Sequence, residues 1–112
     1  MTYNQSIANK IRERLADLPN ITEKDMMGGI AFMLNDKMCV GVIKDEMMCR
    51  IDPLKFEEAI EQRGCRPMDF TGRVMKGWIF VDHDGMRNAD EFEHWIRLSL
   101  AYNVSAKKSK RK

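Results

Sequence analysis

Three cysteines carry the most reactive side chains of this chain, and their spacing favours neither a metal site nor a disulfide. Cys39, Cys49 and Cys65 are ten and sixteen residues apart, without a C-x-x-C pair. Zinc sites usually use closely spaced ligand pairs, and an odd number of cysteines argues against a disulfide framework. Cysteine is also a small, frequently buried apolar residue. We predict that the cysteines fill the core; the alternative is a reactive Cys65 thiol whose thiolate is stabilised by Arg66.

Two short segments match ligand-binding motifs only in part. Residues 82–85 (DHDG) begin like a calcium-binding loop, but Met86 and Arg87 stand where an oxygen ligand and a glycine are required, so a turn is predicted. The glycine pair at 28–29 precedes a strand rather than a helix whose N-terminus could hold phosphate. The two histidines do not complete a recognisable catalytic set. The sequence therefore predicts a non-enzymatic protein without catalytic residues, metal or cofactor.

The charge of the chain is concentrated at its C-terminus. The length of 112 residues fits one domain with its own core. Removing the tail cations leaves 14 Lys and Arg against 17 Asp and Glu, a net charge of −3. We predict a domain at residues 1–105 and a disordered basic tail at 106–112. The tail cations are Lys107, Lys108, Lys110, Arg111 and Lys112.

The N-terminal sequence and the overall hydropathy predict a cytoplasmic protein. The first residues are polar and lack the basic and apolar regions of a signal peptide. No apolar run approaches the roughly 20 residues that a membrane-spanning helix needs. Unpaired cysteines are also typical of a reducing compartment.

Residues 26–52 predict two successive β-hairpins, because short apolar runs are separated by polar turns. With residues 45 and 46 as the second turn, Val42 would pair with Cys49 and Val40 with Ile51. Paired residues share a face of the sheet. The other face of these two strands would then carry Cys39, Ile43, Met48 and Arg50. The strands are predicted at about 22–27, 30–34, 38–43 and 47–51.

Three amphipathic helices accompany these strands. A capping box of Thr2 and Gln5 would begin the first helix. Asp52, followed by proline, would begin the second. Asn88 and Glu91 would cap the third. Because each helix has one apolar stripe, all three are expected to pack on the sheet.

The remaining segments complete an α+β two-layer sandwich. Residues 65–73 are predicted to be irregular, residues 74–81 to form a fifth strand and residues 82–85 to form a turn. The element order is therefore α-β-β-β-β-α-β-α. This order predicts a mainly antiparallel five-stranded sheet with three helices.

The motifs in these elements resemble the N-terminal domain of the TfoX/Sxy family of bacterial competence regulators. The resemblance rests on MGGIAF at 27–32, KMCVGV at 37–42, and RPMDFTGR at 66–73 with MKGW at 75–78, and it covers roughly residues 5–102. It implies a secretion-chaperone-like α+β fold that often self-associates, and a role in regulation. The full-length regulators carry a second, C-terminal domain, in whose place this chain has its basic tail.

The ten methionines and the apolar strands predict an interaction surface. Flexible thioethers suit an adaptable docking surface, and an exposed apolar patch usually marks an interaction site. We expect a homodimer or partner-protein interface on one sheet face, without membrane binding or a small-molecule substrate. The predicted interface residues are Ile30, Phe32, Cys39, Ile43 and Met48.

An alternative function is a nucleic-acid-associated module. Arg73 and Lys76 lie near Trp78, a combination that can bind single strands by stacking and backbone contacts. The basic tail could also contact phosphates in a salt-dependent way. The leading prediction is nevertheless a non-enzymatic regulatory or protein-interaction domain, because the body of the chain is mildly acidic.

Overall fold

Three helices lie on one face of a six-stranded antiparallel sheet in the computed structural model, which describes residues 3–26, 28–68 and 76–105. The elements are α1 (Gln5–Arg14), β1 (Ile21–Met26), β2 (Gly29–Leu34), β3 (Lys37–Ile43), β4 (Glu46–Arg50), α2 (Phe56–Ala59), β5 (Cys65–Pro67), β6 (Trp78–Val81) and α3 (Ala89–Asn103), with 3-10 turns at Pro53–Lys55 and His83–Gly85. The strand order is β1-β2-β3-β4-β6-β5. This architecture confirms the predicted α+β class.

The sheet has six strands, one more than predicted. Cys65–Pro67, in the segment predicted to be irregular, pairs antiparallel with β6, and Cys65 lies opposite Val81. Three residues are too few to show a strand periodicity, so the sequence pattern could not reveal it. The turn predicted at 82–85 is present as a 3-10 turn, in which the Asp82 carboxylate accepts a hydrogen bond from the Asp84 N–H (2.9 Å).

The first and third helices begin at side-chain caps, whereas Asp52 caps the 3-10 turn that precedes α2 and not α2 itself. Asn88 accepts a hydrogen bond from the Glu91 N–H (3.0 Å), as predicted for α3. The cap of α1 is Asn4, whose side-chain oxygen accepts a hydrogen bond from the Ile7 N–H (3.1 Å). It lies two residues after the predicted Thr2, which is outside the described residues. None of the described helices is long and apolar enough to cross a bilayer.

The β3–β4 hairpin turns one residue earlier than predicted. Val40 pairs with Cys49 and Val42 with Met47, so the turn consists of Lys44 and the following residue, and Lys44 adopts a positive φ of 55°. The pairing is thus displaced by two residues. A displacement by two preserves the alternation of side chains. The predicted faces of Val40, Val42 and Cys49 are therefore confirmed although their partners are different.

A β-bulge places Cys39 on the helix side of the sheet. Phe32 pairs with Val40 while Met33 pairs with Met38, so Cys39 is an extra residue in β3. Cys39 is buried in the same core cluster as Cys49. The prediction that these two cysteines lie on opposite faces is wrong, because one inserted residue shifts the alternation of the strand.

The same pairing corrects part of the predicted interface. Ile30 pairs with Val42 and Phe32 with Val40, so both point towards the helices. Together with Cys39 they are buried in the main core and are not available to a partner. The main core also takes residues from each helix: Ala8 and Ile11 of α1, Phe56 and Ala59 of α2, and Trp95 and Ile96 of α3.

Both edges of the sheet are protected against strand addition. On β5, Pro67 has no N–H to offer, and the Cys65 N–H already donates to the Gln62 carbonyl (3.1 Å). On β1, Glu23 and Asp25 share one face, so an antiparallel second copy would bring carboxylates opposite one another. Such edges disfavour sheet extension.

One ion-pair network joins α1 to α3. The Glu93 carboxylate accepts hydrogen bonds from Arg14 Nε (2.6 Å), Arg14 Nη2 (2.7 Å) and Arg97 Nε (2.8 Å). These hydrogen bonds lower the pKa of Glu93 to about 2, from an ordinary value of 4.5. The carboxylate is thus favoured in its charged form in the folded state.

We expect Glu93→Gln to reduce the free energy of unfolding by about 1 kcal/mol at pH 7. Because the folded-state pKa is depressed, the contribution is present above pH 4.5 and is lost as the pH falls towards 2. Urea unfolding of the wild type and of Glu93→Gln at pH 7 and pH 2.5 measures this contribution. Glu61→Gln, the same substitution at an exposed position, is the control. An equal difference between wild type and Glu93→Gln at both pH values would contradict this prediction.

Candidate functional site

The sheet face that points away from the helices carries a second apolar cluster. Three of its side chains are buried, and the other three are half-buried and reachable from solvent. We call this cluster the methionine face. Its buried members are Met48, Met68 and Phe80, and its half-buried members are Met38, Ile43 and Trp78.

Strand pairing positions these side chains. Met48 lies between Gly41 on β3 and Phe80 on β6. A Cβ at position 41 would lie 2.9 Å from Met48 Cε, so glycine makes room for the thioether there. Along β6, Trp78 and Phe80 belong to the methionine face, while the alternate residue Ile79 is buried in the main core.

Two arginines stack on the aromatic rings of this face. The guanidinium carbon of Arg66 lies 4.8 Å from the centroid of Phe80, and that of Arg50 lies 5.2 Å from the centroid of Trp78. Arg66 also donates two hydrogen bonds to the Glu46 carboxylate, one of them from Nε at 3.2 Å. Cation–π contact and the ion pair fix these positive charges beside apolar side chains.

The structure brings together two of the five predicted interface residues. Ile43 and Met48 lie on the methionine face. The other members of this face were not predicted as interface residues, although the continuous apolar run of β6 was a signal that could have indicated Trp78 and Phe80. Those members are Met38, Met68, Trp78 and Phe80.

The predicted nucleic-acid contacts are only partly described. Lys76 is exposed, and its Nζ lies 3.9 Å from the Glu57 carboxylate. Arg73 and the predicted tail lie outside the described residues. Lys76 is therefore the one predicted contact for which the structure provides a position.

The three cysteines are core residues within the described structure. Burial raises the pKa of the Cys39 and Cys65 thiols to about 12, and it raises the pKa of Cys49 as well. The nearby Asp82 charge raises the pKa of Cys65 further. Arg66 lies on the opposite face of β5 from Cys65, so it does not favour a thiolate there. The alternative of a reactive Cys65 is not supported.

We expect all three thiols to resist alkylation in the folded protein at pH 8. A thiol with a pKa of about 12 has almost no thiolate at that pH, and Cys65 is only 8% exposed. Iodoacetamide labelling followed by mass spectrometry checks this, with the urea-unfolded chain as the fully labelled control. Rapid labelling of Cys65 in the folded chain would contradict the prediction.

The methionine face is suited to contact rather than to chemistry. It offers flexible thioethers, half-buried apolar side chains and fixed guanidinium groups. Within the described residues, no three His, Cys, Asp or Glu side chains are grouped closely enough to hold a metal ion.

Comparison with known proteins identifies the family. The family model described as the TfoX N-terminal domain matches residues 13–102, nearly the whole of the described chain. No curated protein and no solved structure matches the chain. The motifs from which the resemblance was inferred all lie within the matched range. The chain belongs to the TfoX N-terminal domain family.

Proposed function

We propose that this protein is a non-enzymatic interaction domain that acts in regulation through protein contacts made by the methionine face. The observation that carries the proposal is the placement of the helices. All three pack on one face of the sheet, and an apolar cluster with half-buried Met38, Ile43 and Trp78 occupies the other.

Two further features support a side-chain-mediated contact on this face. Both sheet edges disfavour strand addition, because of Pro67 on β5 and the carboxylates of β1. Methionine side chains adapt to the shape of a bound surface. The high pKa of the buried thiols also supports the absence of nucleophilic catalysis by cysteine.

The test is photo-crosslinking in living cells from p-benzoylphenylalanine introduced at position 43. We expect crosslinks to another protein, or to a second copy of the chain, from position 43. Position 54 is the matched control, because Leu54 is a 91% exposed apolar residue outside the methionine face. Crosslinks of equal yield from both positions, or none from position 43, would contradict the proposal.

A second candidate function is nucleic-acid association through the C-terminal segment. The observation that favours it is the presence of five Lys and Arg among the last six residues. Oligocations bind nucleic acid with an affinity that falls steeply as salt rises. This function would be added to the docking role and does not require the methionine face.

Fluorescence anisotropy of single- and double-stranded DNA and RNA tests this candidate. The full chain is compared with residues 1–106 at two salt concentrations. We expect weak binding by the full chain that disappears on truncation and weakens at high salt. Binding that survives truncation would contradict the role of the tail and would direct attention to Lys76 and Arg73.

A further inference from the structure

We infer that Met33 and Met38 form a reversible oxidation site that controls docking at the methionine face, an inference that rests on the proposed function and names its regulation. The two residues pair across β2 and β3. Paired residues share a face of the sheet, so their side chains are neighbours. Both side chains are half-buried, and solvent therefore reaches their thioethers.

Met33 lies beside the methionine face, on the same side of the sheet. The residues before and after it, Phe32 and Leu34, pack in the main core on the helix side. Successive side chains of a strand point to opposite faces. Met33 therefore points away from the helices, as Met38 does.

The bulge in β3 is what brings Met38 to this side. Val40 points towards the helices, so strict alternation along the strand would point Met38 towards them as well. The extra residue, Cys39, shifts the alternation by one position. Met38 consequently faces away from the helices and lies opposite Met33.

Access to solvent separates the thioethers of the described chain into two groups. The structure describes the side chains of six of the ten methionines. Three of the six are at most 3% exposed and are shielded from an oxidant dissolved in water, namely Met47, Met48 and Met68. The other three are half-buried, namely Met33, Met38 and Met86. Two of these three reachable thioethers are thus neighbours on the side proposed for docking, and Met86 is on the helix side.

The cysteines do not compete with these thioethers for a peroxide. Peroxides react with the thiolate form of cysteine, and burial raises the pKa of the Cys39 and Cys65 thiols to about 12. All three thiols are at most 8% exposed. Oxidation of the folded chain is therefore directed to the reachable thioethers.

The oxidant is hydrogen peroxide, and the reaction transfers one oxygen atom. The thioether sulfur attacks a peroxide oxygen, the O–O bond breaks, and a sulfoxide and one molecule of water are formed. A methionine sulfoxide reductase reverses the change with a thiol reductant. In that step two thiols are oxidised to a disulfide, and the sulfoxide oxygen leaves as water.

Oxidation changes the surface that the pair offers to a partner. A sulfoxide is polar, whereas the thioether of Met38 packs with the apolar cluster of the methionine face. A sulfoxide that is buried in a complex without a hydrogen-bond donor disfavours the complex, so we expect docking to weaken at least about 10-fold. The fold is retained, because the buried Met48 and Met68 are not oxidised.

The first measurement follows each sulfur of the folded full chain during treatment with hydrogen peroxide, by mass spectrometry of its peptides. We expect Met33 and Met38 to form sulfoxide at least about 5-fold faster than the three buried methionines, with the cysteines unchanged. The urea-unfolded chain is the control, in which all methionines react at similar rates. Oxidation of the cysteines first, or equal rates for buried and half-buried methionines in the folded chain, would overturn the inference.

The second measurement is the yield of crosslinks from p-benzoylphenylalanine at position 43 in cells exposed to hydrogen peroxide. We expect peroxide to reduce the yield several-fold in the otherwise wild-type chain. The double variant Met33→Leu with Met38→Leu keeps the side-chain volume but cannot form sulfoxide, and its yield should be unchanged by peroxide. Met86→Leu removes a half-buried thioether from the helix side and should respond as the wild type does.

The remaining outcomes separate this inference from the proposed function. No loss of crosslinks in the wild type on peroxide treatment, or an equal loss in the double variant, would overturn the oxidation site and leave the docking role in place. Met38→Gln places a permanent polar group at this position, and a wild-type crosslink yield from it would also overturn the inference. An absence of crosslinks from position 43 without peroxide would remove the proposed function, and this inference with it.

Discussion

Replacing Ile43 with glutamate is expected to weaken binding of the crosslinked partner at least about 30-fold, while the domain stays folded. Ile43 is half-buried on the methionine face. A carboxylate buried there in a complex, without a hydrogen-bond partner, costs roughly 2–4 kcal/mol, and 2 kcal/mol corresponds to about 30-fold in Kd. Calorimetric titration of the purified partner measures the change.

Leu54→Glu provides the matched control for this prediction. It makes the same apolar-to-acidic change at a 91% exposed position outside the methionine face, and we expect it to leave the affinity unchanged. If Ile43→Glu reduces folding as judged by circular dichroism, Ile43→Ser serves as the second variant. Wild-type affinity in a folded Ile43 variant would contradict docking at this position.

Replacing Trp95 with alanine is expected to reduce the free energy of unfolding by about 3–5 kcal/mol. Trp95 is 2% exposed in the main core, and its Nε1–H donates to the Gly85 carbonyl (2.8 Å). The substitution removes both the buried ring and the donor. A loss of this size approaches the total stability of many small domains. Urea unfolding followed by far-UV circular dichroism measures it.

The second tryptophan of the chain is the control for this effect. Trp78 is half-buried on the methionine face and stacks with Arg50. We expect Trp78→Ala to reduce the free energy of unfolding by about half as much as Trp95→Ala does, because less apolar surface is lost from the core. Trp95→Phe, which keeps a ring but loses the donor, should cost about 1–3 kcal/mol. A cost below 1 kcal/mol for Trp95→Ala would contradict the assigned core role.

The alternation along β3 and β4 was sufficient to predict the faces of several strand residues. Val40, Val42 and Cys49 lie on the predicted side, although the turn begins at Lys44 rather than one residue later. Face assignment tolerates such an error because side chains repeat every two residues. The cap of the third helix was likewise readable from Asn88, and Asp52 is a cap as predicted, although it caps the 3-10 turn that precedes α2.

The composition of the two faces could not be predicted in full, for a physical reason. The bulge at Cys39 adds one residue to β3, and it is visible only in the pairing of β3 with β2. The predicted interface consequently included Phe32, which lies under the helices. The pairing of β4 with β6 joins distant segments, so the association of Met48 with Phe80 required the tertiary structure.

Oxidation footprinting in living cells tests the docking role of the methionine face most directly. Met38 on this face and Met86 on the helix side are both half-buried, so they form a matched pair. Hydroxyl radicals oxidise such thioethers where solvent reaches them. The account predicts that Met38 is oxidised several-fold less in cells than in the dilute purified chain, while Met86 is oxidised equally in both. Equal oxidation of Met38 in cells and in the purified chain would contradict a docked partner on this face.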